Sequence, residues 1–307
     1  MTAVFASRPL LGAILLLSVS AAWGSAFPLM KDLIVRMPVA DLLAERYGIA
    51  ALVLVAARPG CLRGLSDGTW LTGALLGLLF GVGQTAQAVA LHDLPSSVSG
   101  FAVGSYVVIT PVLGLVLLGT RIQGRTWVAV ALALAAMTVF TLLREAGGAA
   151  VSPPALAVTL LSAVLYSAHT LVLGSSAGAR RDAYAVAVIQ LGTIALMTGV
   201  LAVPDGLTLP RTPGDWLILG HLSVVACALG FLARSYGQLH VPPVPAAVLL
   251  SAQPLWVTAL AVVLYGEPLT WSVFLGGGLI ALAMLLVVLP GGLLRTARRR
   301  TGPAPPR

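Results

Sequence analysis

The apolar residues of this chain fall in about ten blocks, each long enough to cross a bilayer. A helix needs about 20 mostly apolar residues to span roughly 30 Å of hydrocarbon. The blocks run over Leu10–Met30, Ala40–Ala57, Trp70–Leu91, Val98–Leu118, Trp127–Leu143, Pro154–Leu173, Ala183–Val203, Trp216–Gln238, Val244–Leu264 and Trp271–Leu289. Short breaks rich in Pro, Gly and charge separate them. Only 9% of the 307 residues are charged and 58% are apolar, and the mean hydropathy is +0.99. So few charges cannot cover a soluble protein of this length. The pattern predicts an all-α integral membrane protein with ten transmembrane helices, because a helix satisfies its own backbone in lipid.

The net charge of +8 would suit nucleic acid if it were clustered on one soluble face. Its distribution points to membrane topology instead. Arg8, Arg58, Arg63, Arg121, Arg125, Arg180 and Arg181 fall on one side, together with Arg295, Arg298, Arg299, Arg300 and Arg307 of the tail. Lys31, Arg36, Arg144 and Arg211 fall on the other. The positive-inside rule then places both termini in the cytoplasm, in a plasma (inner) membrane. The tail reads as an anchor beside anionic headgroups. Arg8, the apolar run and the small residues Ala21–Ser25 resemble a signal peptide. The apolar character continues to Met30 and nine blocks follow, so the first helix is expected to be retained. Cys61 in a loop and Cys227 inside a block predict no disulfide, and no metal-ligand spacing is present.

An internal repeat organises the chain. Gly119-Thr120-Arg121 through Met137 aligns without gaps to Gly266-Glu267-Pro268 through Met284, and the same shift sets Leu94-Pro95 on Val241-Pro242. The expected units are residues 1–147, residues 148–290 and a basic tail at 291–307. Five spans per unit is an odd number, so the second copy enters from the opposite face. Such inverted repeats let secondary transporters alternate access around a midplane site. Gly73, Gly77 and Gly81, and again Gly100 and Gly104, repeat at four-residue spacing, which permits close helix packing.

Ionisable residues at membrane depth face a cavity or a partner. Two roles fit Arg46: binding an anionic substrate group, or locking the second helix to a neighbour. Glu45 is a candidate for a coupling proton, or reaches interfacial water near the helix start. Arg234 is either a cavity cation or a snorkelling residue. Gln84 and Gln87, Tyr166 and His169, and Gln253 and Trp256 each stand three apart. Each pair fits a solute-binding face, or hydrogen bonds between helices. His169 is a second proton-coupling candidate, because its charge changes near neutral pH. Gln190 is a weaker candidate of the same kind. Trp23 and Phe27, four apart, and Tyr106 would line the cavity or pack against lipid. Pro111 and Pro254 inside blocks predict kinks or hinges, since proline frees a carbonyl. Glu267 fits a cap at a turn.

The chain resembles the EamA-type drug/metabolite transporter family. The matching pieces are Trp23-Gly24-Ser25-Ala26-Phe27 with Lys31, Arg46-Tyr47, Ala90-Leu91 before Pro95-Ser96-Ser97, and Tyr106 through Pro111. In the second half they are Gln253-Pro254-Leu255-Trp256, Tyr265-Gly266-Glu267-Pro268-Leu269, and the glycine-rich helix from Gly276. The first-half counterpart of Gly266-Glu267 reads Gly119-Thr120. The resemblance implies two five-helix repeats and transport of small solutes, often outward. The sequence holds no Walker loop, His-Glu-x-x-His site or Gly-x-Ser-x-Gly elbow. The expected function is secondary transport of a small polar or amphipathic metabolite, with no enzymatic activity, no cofactor and no metal. The expected partners are the substrate and the lipid bilayer, with no nucleic acid; oligomeric state is left open. The rival readings are a non-transporting scaffold or sensor, and a lipid-modifying membrane enzyme.

Overall fold

A computed structural model describes residues 8–94, 96–119, 121–143, 152–203, 206–253, 255–256 and 271–288. The regular structure among them is helical. The helices are α1 (Pro9–Ile34), α2 (Val39–Ala57), α3 (Asp67–Ala90), α4 (Ser96–Gly104), α5 (Tyr106–Leu118), α6 (Gly124–Leu143) and α7 (Pro153–Ser175). They continue as the short α8 (Ala177–Arg181), then α9 (Ala183–Ala202), α10 (Pro213–His240), α11 (Pro243–Leu250) and α12 (Trp271–Val288).

Five of these, α1, α3, α7, α9 and α10, are long and apolar enough to cross a membrane. At 19 residues α2 has the length, but it carries Asp41, Glu45 and Arg46. The fourth apolar block is broken, with α4 and α5 meeting at Ser105. Pro111 lies inside α5, and α1 carries its own internal proline, Pro28. Pro254, the Gly266-Glu267 turn and the tail lie outside the described residues.

The bundle is apolar outside and buries polar side chains among the apolar ones within. Leu71, Leu196, Leu217 and Trp271 are each more than two-thirds exposed, while Thr159, Ser167, His169, Gln190 and Arg234 are buried. Water as solvent would penalise this arrangement on both counts; lipid penalises neither. Cys61 and Cys227 are free thiols, both buried.

Packing partners repeat between the halves. α2 lies on α9 and α6 on α12; α3 packs on α7 as α10 packs on α1, and α3 on α9 as α10 on α2. The glycine stripe of α3 makes the α9 contact possible. A Cβ on Gly73 would lie 2.7 Å from the Ile189 side chain, and one on Gly77 would lie 2.6 Å from that of Thr193 and 2.9 Å from the Gln190 carbonyl oxygen. Gly100 instead faces open space.

The charges separate to two ends. Arg58, Arg63, Arg180 and Arg181 surround one surface concavity, and Arg121, Arg125 and Arg180 line another that Pro9 also touches. Arg36 and Arg211 stand with Asp215 at the opposite end.

Gly77→Ala should destabilise the purified protein by about 1–3 kcal/mol, the usual cost of overpacking. Gly100→Ala should stay within about 0.5 kcal/mol of the parent. Thermal unfolding in one detergent checks both.

Candidate functional site

The site is a cavity at the centre of the bundle, lined from both halves of the chain. α1 supplies Trp23, Ala26, Phe27 and Met30; α2 supplies Arg46 and Tyr47; α3 supplies Phe80, Gln84 and Gln87. Val103 and Tyr106 come from α4 and α5, Tyr166 and Thr170 from α7, Arg234 from α10, Leu250 from α11, and Gln253 follows it. The spacings are helical: 23, 26, 27 and 30 share one face of α1, and 80, 84 and 87 one face of α3.

Aromatic rings form the wall. Phe80 sits at the centre, with ring centroids 4.7 Å from Phe231, 4.8 Å from Tyr166, 5.3 Å from His169 and 5.5 Å from Trp23. Hydrogen bonds fix the polar residues between the rings. The Tyr166 hydroxyl donates to Gln87 Oε1 at 2.7 Å, and the Tyr47 hydroxyl to Gln84 Oε1 at 3.3 Å.

Residues His221–Leu229 of α10 form π-helical turns. Such turns loosen the regular backbone ladder and cluster at functional sites. Here the Trp23 indole N–H donates to the Ala226 carbonyl at 2.9 Å, and Arg46 Nε donates to Cys227 Sγ at 3.2 Å. The same wide turn thus anchors one aromatic wall and one guanidinium.

Arg46 and Arg234 are 3% and 2% exposed. Arg46 Nη1 also donates to Met30 Sδ at 3.3 Å, and its guanidinium carbon lies 5.0 Å from the Tyr47 ring centroid. Arg234 Nη2 donates to Thr170 Oγ1 at 2.6 Å, and its head group lies 5.2 Å from the Trp23 ring and 5.6 Å from Phe80.

Most of the residues singled out from sequence therefore meet at one place: Trp23, Phe27, Arg46, Gln84, Gln87, Tyr106, Tyr166 and Gln253. His169 does not line the cavity. It is buried behind Phe80 and shares a 2.7 Å hydrogen bond with Gln190 Oε1. Thr170, one residue on, takes the cavity position. Trp256 turns away, and its indole N–H donates to Ser20 Oγ at 3.0 Å. Glu45 is buried beside Arg46 in sequence but does not line the cavity, and neither of its oxygens has a hydrogen-bond partner among the described residues. Sequence reasoning missed Tyr47, Phe80, Met30 and Phe231. Apolar residues on an apolar helix carry no signal of which face turns inward.

The cavity holds about 50 Å³, room for a few water molecules. Its two ends differ. At the end bearing Arg36, Arg36 Nη2 lies 2.8 Å from Asp32 and 2.8 Å from Asp215. Lys31 Nζ donates to the Leu94 carbonyl at 2.6 Å, and Asp41 accepts from the Thr208 amide at 2.8 Å. These bonds tie α1, the α3–α4 turn, α2 and the start of α10 together. At the arginine-rich end lies an open vestibule of about 650 Å³, lined in part by Leu171, Gly174, Val244 and Leu249. Thr170 and Leu250 face the cavity, whereas Leu171 and Leu249 face the vestibule.

Residues 10–142 and again 155–289 match the EamA-like transporter family. The chain belongs to that family. This EamA-like chain is also 26% identical over 117 residues to a protein of Streptantibioticus cattleyicolor named "Probable terminal-alkyne amino-acid exporter". That match covers 37% of the chain and 39% of the relative's length. One solved crystal structure superposes with a TM-score of 0.72 at 20% identity, covering 95% of this chain and 99% of the other. The shared fold thus extends across nearly all of both chains. The EamA-like chain is by family a membrane transporter.

Phe80→Ala should destabilise the protein by about 3–5 kcal/mol, since it empties the centre of the ring cluster. Tyr166→Phe removes one interhelical hydrogen bond and should cost about 0.6 kcal/mol. Melting curves of the two variants beside the parent test this order.

Proposed function

We propose that this chain is a secondary carrier. It moves a small amphipathic metabolite by alternating access through the central cavity, with export favoured over import. The observation that carries the reading is a central chamber lined by largely buried side chains from both halves, set between an ion-paired end and an open, arginine-lined vestibule. A scaffold or sensor has no use for such a chamber, and a lipid-modifying enzyme would need an acidic or nucleophilic cluster, of which the lining residues hold none. The exporter name of the Streptantibioticus cattleyicolor relative favours outward movement.

The carrier has ten crossings in two inverted five-helix repeats, residues 1–147 and 148–290, followed by a basic tail. Support comes from the packing correspondence between halves and from where the helices begin. Pro9 of α1 lies at the arginine-rich end. Ala155, near the start of α7, packs with Leu94 at the other. The arginine-rich end faces the cytoplasm of a plasma (inner) membrane, with both termini inside. The vestibule then opens inward, and Arg36 closes the outer side.

An exposed ion pair is worth only about 0.2–1 kcal/mol. The Arg36–Asp32 pair is of that kind, whereas the Arg36–Asp215 pair has a buried carboxylate, and together they hold the outer end shut. Val103→Cys, in a chain whose native cysteines are replaced by alanine, reports on this. A membrane-impermeant maleimide should reach it from the cytoplasmic side in inverted vesicles. Asp215→Asn should raise labelling from the outer side several-fold. Labelling from one side only, unchanged by Asp215→Asn, would contradict alternating access.

Coupling to protons is assigned to Glu45, with His169 second, because both are buried with an unpartnered polar atom. Glu45→Gln should make flux insensitive to a pH gradient. Flux that is unaffected by both a collapsed gradient and by Glu45→Gln and His169→Ala would remove protons from the mechanism.

A further inference from the structure

We propose that the cargo is an organic monoanion: a carboxylate on an apolar or aromatic body, held by Arg234 and Arg46. The inference rests on the carrier reading and names the chemistry of its site.

Two guanidinium groups face this cavity, and no Asp or Glu is among its lining residues. Among the described residues the ion pairs are those of Arg36 at the outer end. Arg234 uses one nitrogen on Thr170, while Nε and Nη1 have no partner among the described residues. Arg46 donates to two sulfur atoms, Cys227 Sγ and Met30 Sδ, both weak acceptors. A buried cation without a counter-ion is strongly disfavoured, and an arriving anion relieves exactly that deficit of charge. A carboxylate matches the planar guanidinium fork and takes parallel N–H bonds from it.

The remaining wall sets the body of the cargo. Trp23, Phe27, Phe80, Tyr106 and Tyr166 offer rings, and the polar side chains between them, Gln84, Gln87, Thr170 and Gln253, are uncharged. The same wall disfavours cations. An ammonium group would meet no carboxylate, and the Trp23 and Phe80 rings already face the Arg234 head group. A zwitterionic amino acid satisfies the arginines but brings an ammonium that meets only neutral acceptors and no carboxylate. The chamber must widen from its present volume of about 50 Å³ to take such a body, and its charge pattern then selects an organic acid over the corresponding amide, amine or amino acid.

The test uses the full-length protein in lipid nanodiscs and four probes: phenylacetate, phenylacetamide, phenethylamine and phenylalanine. Affinity is read from titrated melting-temperature shifts, since a ligand of the folded state raises the transition. Phenylacetate should bind about ten-fold or more tighter than each of the others, the scale of one lost charge-assisted hydrogen bond. Arg234→Gln and Arg46→Gln should each erase that preference. Arg234→Lys, which keeps the charge if the glutamine variant fails to fold, should bind phenylacetate more weakly and still prefer it to the amide. The proposal is overturned if the native chain shows no saturable phenylacetate binding, or if the amide, amine or amino acid binds as tightly. It is also overturned if folded Arg234→Gln and Arg46→Gln both keep the native preference. Equal binding of neutral and charged probes defeats the anion assignment alone; a cavity reachable from one side only, in the labelling experiment above, defeats the carrier reading.

Discussion

Two guanidinium groups are buried in a bundle whose outer surface is hydrocarbon-loving, and the centre of the molecule is arranged around them. Charges at that depth are expensive unless the protein supplies acceptors, rings or a cavity. Here it supplies all three in part. Rings of Trp23 and Phe80 lie against Arg234, Tyr47 lies against Arg46, and sulfur and hydroxyl groups take single hydrogen bonds. The π-helical turns of α10 carry both Cys227, whose thiol meets Arg46, and Ala226, whose carbonyl accepts from the Trp23 indole.

The ends of the bundle translate this centre into direction. One end is tied by Arg36, Asp32, Asp215 and Lys31; Arg36 and Asp32 are both exposed, so the bond between those two is weak and exchangeable, while Asp215 is buried. At the other, Thr170 and Leu250 line the cavity while their neighbours Leu171 and Leu249 line a wide basic vestibule. On the proposed carrier reading, a rearrangement of α1 against α10, or of α7 against α11, changes which side the cavity sees. The break at Ser105 and the prolines inside α1 and α5 put bending points in helices that line the chamber.

Much of this was legible in the residue order. Lipid forces span length, glycine spacing and the asymmetry of arginines into the sequence itself, so five long apolar helices and the gathering of arginines at one end could be read directly. Polar residues within apolar blocks, such as Gln84, Gln87 and Arg46, announced an interior because lipid would reject them. Apolar residues give no such signal: Phe80 and Phe231 form the core of the site yet look like any lipid-facing phenylalanine. Helical phase was the other limit. Tyr166 pairs with Thr170, at four residues, rather than with His169 at three, and a shift of one position carries a side chain about 100° around the axis. The break at Ser105 and the π-helical turns had no sequence signature, because both depend on what the neighbouring helices press against them.

The central claim is that the two ends open in turn. Distances between paired spin labels in nanodiscs test it most directly, one pair at Val35 and Leu209 on the Arg36 end, the other at Arg63 and Gln123 on the vestibule end. The account predicts two populations at each end, with Asp215→Asn lengthening the Val35–Leu209 distance while shortening the Arg63–Gln123 distance. A single unchanging distance at both ends would contradict it.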